Sequence, residues 1–150
     1  MNIRIGEVKD TLPYHVNSAL DVSNYMTDYR RADREIFFAM YLNAKSFIIS
    51  VEPSSVGSLD FSHVYMREVI KGALIHSASR IILIHNHPSG DCAPSPDDNK
   101  TTSSIVLAGK LMQIQVLDHI IIGNSYYSYA EAGLIDKYER EAMKLLDGLS

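Results

Sequence analysis

Two histidines one residue apart, His85 and His87, follow directly on the run Arg80-Ile81-Ile82-Leu83-Ile84. In extended backbone, residues i and i+2 point to the same side, so both imidazoles can aim at one point beyond the strand end. Pro88 and Gly90 favour a turn there. Ser95-Pro96-Asp97-Asp98 reads as a helix start: Ser95 suits the N-cap, Pro96 the first helical position, and two carboxylates fall in the first turn. If the loop folds back, Asp98 reaches the point where the histidines meet. An HxH pair alone occurs by chance, and Ser95 with Asp98 alone reads as a variant capping box. The joint pattern favours metal ligation by His85, His87 and Asp98. Two neutral imidazoles and one carboxylate suit Zn²⁺ with a fourth position for water. Such an ion lowers the pKa of water from about 15.7 to about 7.

His85-x-His87-Pro88, six residues, then Ser95-x-x-Asp98 is similar to the JAMM signature of JAB/MPN-domain metalloproteases. The longer string HNHPSGD resembles, more narrowly, the RadC-like subfamily. Arg67-Glu68-Val69 and Leu117-Asp118-His119-Ile120-Ile121-Ile122-Gly123 support the likeness, which runs from about Arg34 to Leu134. It implies a cytidine-deaminase-like layout and a zinc metallopeptidase that cleaves a peptide, amide or isopeptide substrate with metal-activated water. It also implies a glutamate on an earlier strand as general base. Glu35, opening EIFFAMYL, matches that setting better than Glu68, which falls on a helix. Ser95 would donate a hydrogen bond to the oxyanion of the tetrahedral intermediate, a role compatible with capping. The RadC label implies two alternatives: an accessory protein of DNA repair, or a metal-binding domain without hydrolase activity.

The elements that must position these residues follow from periodicity. Asn2–Val8 reads as an edge strand. A helix is expected from Asn17, its N-cap, to Tyr29, with Val22, Tyr25, Met26 and Tyr29 on one face. Glu35–Leu42 and Ser46–Val51 read as strands of an antiparallel hairpin, followed by a loop over Pro53–Asp60. Val64–Ala78 reads as a helix burying Met66, Val69, Ile70, Ala73 and Leu74. Arg80–Ile84 reads as a central strand and His85–Pro94 as a loop. A helix over Ser95–Met112 is expected to bury Ile105, Ala108, Leu111 and Met112. Strands Gln115–Ile122 and Tyr126–Tyr129 and a terminal helical region over Ala130–Leu149, broken at Gly133, complete the chain. The sum is α+β, a mixed, mostly antiparallel sheet with flanking helices. Residues 1–30 read as an N-terminal extension and 31–150 as the RadC-like JAB/MPN domain, together one globular unit.

Composition bounds the rest. The 150 residues, 46% hydrophobic and 21% charged, are enough for one core without disulfides. The longest apolar run, Ile36–Leu42, is far short of the about 20 residues of a membrane span, so no membrane partner is expected. A single cysteine, Cys92, and no apolar leader point to the cytoplasm. Net charge is −4, and the densest basic stretch, Arg30, Arg31 and Arg34, is broken by Asp33 and Glu35. About 30 residues precede the region of likeness, without the glycine-centred hairpin of the helix-hairpin-helix module in longer relatives. Both features argue against direct DNA binding. Cys92 reads as a bystander of the metal loop and His119 as a core histidine or one supporting a ligand. His15, His63 and His76 read as surface or packing residues, and Tyr127 and Tyr129 as sheet packing.

Overall fold

The computed structural model describes residues 14–56 and 61–149. The strand expected over Asn2–Val8 lies outside them. Strands β1 (Ile36–Leu42) and β2 (Ile48–Val56) form an antiparallel hairpin, and the other edge of β1 pairs antiparallel with β3 (Arg80–Asn86). Helix α3 (Pro96–Met112) carries the chain to β4 (Gln115–Ile122), which lies parallel to β3 and turns back onto β5 (Tyr126–Ser128). The order β2-β1-β3-β4-β5 makes β3 the central strand, and three of the four pairings are antiparallel. The α+β architecture expected from the sequence is the one found.

Apolar residues fill both faces of β1 and β3 because both faces are covered. Phe37, Ala39, Tyr41, Ile81 and Leu83 pack with Val69 and Ala73 of α2 (Phe61–Ile75), Ile105 and Val106 of α3, and Ile135 of α4 (Leu134–Asp147). Phe38, Met40, Leu42, Ile82 and Ile84 pack on the other face with Val22 and Tyr25 of α1 (Ala19–Tyr25) and with Met26. Alternation therefore sends His85 to the face of α3 and Asn86 to the face of α1. A register shift at Ile81/Ile82 pairs Val116 with Ile81 and Asp118 with Ile82. This bulge lets Val116 and His119, three residues apart, both face α3.

Several expected boundaries are corrected. Ser18, not Asn17, caps α1 by accepting from the Asp21 N–H, and the helix leaves α geometry at Met26, with a 3₁₀ turn over Thr27–Tyr29. Strand β2 continues through Pro53 to Val56; an edge strand tolerates proline, and the β1–β2 register shifts between Phe37 and Phe38, opposite it. Leu74 of α2 is exposed rather than buried. Strand β3 takes in His85 and Asn86, so the metal loop starts two residues later than expected. The buried side of α3 is Thr101, Thr102, Ile105, Val106 and Gly109, whereas Leu111 and Met112 are exposed. Gly109 explains the rotation: a Cβ there would stand 2.5 Å from the Ile114 carbonyl, so only glycine lets the chain turn so closely into β4. No helix among the described residues is long and apolar enough to cross a membrane.

Candidate metal centre

Strand β3 ends with His85 on the helix face, and His87 follows in extended continuation. Phe37 pairs with His85 across the sheet, so Glu35, two residues earlier, comes to the same face. Ser95 starts α3 with a complete capping box: its hydroxyl accepts from the Asp98 N–H at 3.1 Å, and Asp98 Oδ2 accepts from the Ser95 N–H at 2.8 Å. The box sets the Asp98 carboxylate toward the histidines.

Glu35, His85, His87 and Asp98 each offer one ligand atom, all within 4.8 Å of one another. His85 Nε2 lies 2.9 Å from His87 Nε2 and 3.3 Å from both Asp98 Oδ1 and Glu35 Oε1. His87 Nε2 lies 3.5 Å from Asp98 Oδ2 and 3.7 Å from Glu35 Oε1. Ligands of a tetrahedral zinc ion with bonds of about 2.0–2.1 Å stand about 3.3–3.4 Å apart, so spacing and donor types fit such an ion. Proton placement agrees. His87 Nδ1 lies 2.7 Å from the Asp91 carbonyl, which can only accept, so the Nδ1 proton sits there and Nε2 presents a lone pair. Carboxylate oxygens and imidazole nitrogens thus converge as acceptors, an arrangement that calls for a cation.

Electrostatics point the same way. The hydrogen bond with Asp98 raises the His87 pKa; burial opposes it, and the Asp91 carbonyl and the charge of Glu35 assist. Burial alone would raise the Asp98 carboxyl, but its close contacts with the His85 and His87 rings hold it well below the usual carboxylate range.

The surroundings brace the cluster. Asn86, fully buried between the two histidines in sequence, accepts from the Ile36 N–H at 2.8 Å and donates to the Arg34 carbonyl at 2.9 Å. It grips the backbone on both sides of Glu35. Gly90, at φ +87°, closes the loop by donating to the His87 carbonyl, and its own carbonyl takes the Asn124 N–H. A cavity of about 100 Å³, lined by Glu35, Phe37, His85, Ser95, Asp98 and Thr101, opens beside the cluster. His85 Nδ1 lies 2.8 Å from His119 Nε2, and His119 Nδ1 lies 2.6 Å from Thr102 Oγ1. His119 is completely buried, and that burial pushes its pKa well down.

The structure therefore brings together Glu35, His85, His87 and Asp98, with Ser95 at the cavity edge, and leaves Glu68 exposed on α2. Cys92 stays outside the cluster, with Sγ near the Gly90 carbonyl and Ser125. His76 pairs with Glu52 at 2.5 Å, His15 is exposed, and the side chain of His63 lies outside the described set. Tyr129 stacks on His119 at 4.8 Å, and Tyr127 meets Tyr129 edge-on. Sequence reasoning missed Asn86 and Thr102. The signal for Asn86 was available: a polar residue between two same-face histidines must point to the opposite, apolar face, where it needs partners.

Comparison with known proteins gives the family. The RadC-like JAB domain family matches residues 16–134. A UPF0758 protein of Alkaliphilus metalliredigens is 48% identical over 124 residues, which is 81% of this chain and 53% of the relative. One from Caldanaerobacter subterraneus is 46% identical over 125 residues, 82% of this chain and 54% of the relative. One from Methanococcoides burtonii is 45% identical over 122 residues, 80% of this chain and 53% of the relative. The chain spans about half the length of these relatives.

Proposed function

The chain belongs to the RadC-like JAB domain family, and from the site it carries we propose a zinc-dependent hydrolase that cleaves amide or isopeptide bonds. The observation that supports this reading is the convergence of two imidazoles and two carboxylates, all acceptors, at the spacing of a tetrahedral ion. A zinc ion held by His85, His87 and Asp98 supplies Lewis-acid activation of water and of the scissile carbonyl.

The remaining work falls to the chain's own side chains. Glu35, 38% exposed at the cavity, takes the proton of the attacking water and delivers it to the leaving amine. Ser95 Oγ receives the Asp98 N–H, so its hydroxyl proton remains free for the substrate oxygen as that oxygen gains charge. Phe37 gives the cavity an apolar wall, and His87, its Nδ1 proton held by Asp91, keeps its lone pair on the cluster.

Elemental analysis of protein purified without chelator tests the metal: about one zinc per chain is expected, and His87→Ala should lose it. Equal zinc in both proteins refutes the site. Cleavage of an isopeptide-linked peptide, abolished by chelator and restored by zinc, tests the reaction. The family label favours a second reading, an accessory role in DNA repair. Direct DNA binding that weakens steeply in a salt series would support it; the chain's net charge of −4 argues against such binding.

A further inference from the structure

We propose that His119 and Thr102 are positioning residues of the metal centre, joined in a one-way hydrogen-bond chain that sets the tautomer of His85. The proposal rests on the reading of the cluster as a metal site. Thr102 Oγ1 lies 2.6 Å from the Asp98 carbonyl oxygen. A carbonyl has no hydrogen to give, so the hydroxyl proton must fill that contact. Thr102 then meets His119 Nδ1, 2.6 Å away, with a lone pair, and His119 must supply the proton there.

His119 has no carboxylate on either ring nitrogen. It lies fully buried between the edge-on ring of Phe37 at 5.6 Å and the stacked ring of Tyr129 at 4.8 Å. Such surroundings keep it neutral, with one proton only. With that proton on Nδ1, His119 Nε2 is a lone pair. The 2.8 Å contact to His85 Nδ1 is filled from the His85 side. His85 is therefore the Nδ1–H tautomer, and its Nε2 faces Glu35, His87 and Asp98 as a ligand lone pair.

Each link comes from a different element: β3 gives His85, β4 His119 and α3 Thr102. The chain ends on the backbone of Asp98, itself a member of the cluster, so it closes into a ring around the site. The bulge before Asp118 turns His119 to this face. Phenylalanine would satisfy the aromatic packing around His119, so the two ring nitrogens answer to the hydrogen bonds. A ligand histidine supported by a neutral imidazole rather than a carboxylate adds no negative charge to the site.

The test uses the full chain, zinc affinity from competition with a chelating indicator, and long-range proton–nitrogen NMR of histidine-labelled wild type at pH 8. The spectrum should show His119 protonated on Nδ1 and bare on Nε2, and His85 protonated on Nδ1. Thr102→Val keeps the shape and deletes the hydroxyl, so zinc affinity should fall about 10- to 100-fold, and Thr102→Ser should restore it to within about threefold. His119→Phe should lose affinity similarly while circular dichroism stays unchanged. A proton on His119 Nε2 in wild type overturns the proposal, whether or not the variants fold. So does zinc bound equally by wild type and Thr102→Val. Wild type without zinc affinity overturns both this proposal and the metal reading beneath it.

Discussion

Glu35 stands just before β1 with its carboxylate half in the cavity and half in solvent, 3.3 Å from His85 Nε2. From that place it can serve either as a fourth ligand or as a base toward water in the fourth position, and substitution separates the two. Glu35→Gln keeps size and hydrogen bonding but cannot take a proton. Zinc content should survive in the variant while turnover of an isopeptide substrate falls by about 10² to 10⁴; lost zinc would make Glu35 a ligand. Glu68→Gln, on an exposed stretch of α2, should leave both unchanged. His87 carries a second expectation. Its pKa is raised above the ordinary imidazole value by Asp98, and zinc must displace that proton to reach Nε2. Zinc affinity should therefore be full at alkaline pH and fall as pH drops through the raised His87 value. A titration calorimetry series reads this directly, and a flat profile from pH 8 to 6 would contradict the raised His87 value.

Elements place these groups through a few backbone grips. Asn86 ties β3 to the residues flanking Glu35, and replacing it by alanine leaves the Ile36 N–H and the Arg34 carbonyl without that partner. The expected cost is on the order of 2–4 kcal/mol in urea unfolding, since each polar group left unpaired costs roughly 1–3 kcal/mol. At the start of α3, Ser95→Ala should cost about 1 kcal/mol as a lost cap and, if the hydroxyl also serves the substrate oxygen, lower turnover about 100-fold with zinc retained. The strands were legible because β1 is apolar throughout and β3 from Ile81 to Ile84, and the helix start was legible because Ser95, Pro96 and two acids occupy its first turn. The working face of α3 was not. It buries Thr101 and Thr102 beside Ile105 and leaves Leu111 and Met112 exposed, so a search for apolar periodicity rotates the helix the wrong way. The β4 bulge was equally hidden: a register shift depends on the partner strand, and nothing in Gln115–Ile122 alone announces it. The HxH and Ser-x-x-Asp spacings carried the candidate ligands because local geometry sets them; the His119 and Asn86 partners depend on strands that meet only in the folded sheet.

At the scale of the molecule, two apolar layers lie one on each face of a five-stranded sheet, and a core of that extent should hold the fold without an ion. Zinc at 100 times its Kd should add only about 2.7 kcal/mol to stability, and EDTA should remove that increment and leave a folded protein. The pH response of the fold has a separate source in Asp118, buried at 6% exposure between β4 and the turn after β5. Its carboxylate accepts from Ser128 Oγ at 2.5 Å, the His119 N–H at 2.7 Å and the Ala130 N–H at 2.9 Å. Burial outweighs these donors and pushes its pKa up to about 6. An aspartate in the unfolded chain titrates near about 3.9. Between those values the folded protein binds the proton more tightly than the unfolded chain does, so the contribution of Asp118 to stability is complete below about pH 4 and is lost as pH rises through 6. At 1.36 kcal/mol per pH unit the loss reaches up to about 3 kcal/mol. Asp118→Asn keeps the size of the side chain and cannot ionise. Urea unfolding of both proteins from pH 4 to 7.5 should show the variant gaining on wild type by about 1–3 kcal/mol across that range, the other titrating groups being common to both. A difference that stays flat with pH would mean that the three donors keep Asp118 ionised throughout, and the burial of its charge would then be fully offset by hydrogen bonds.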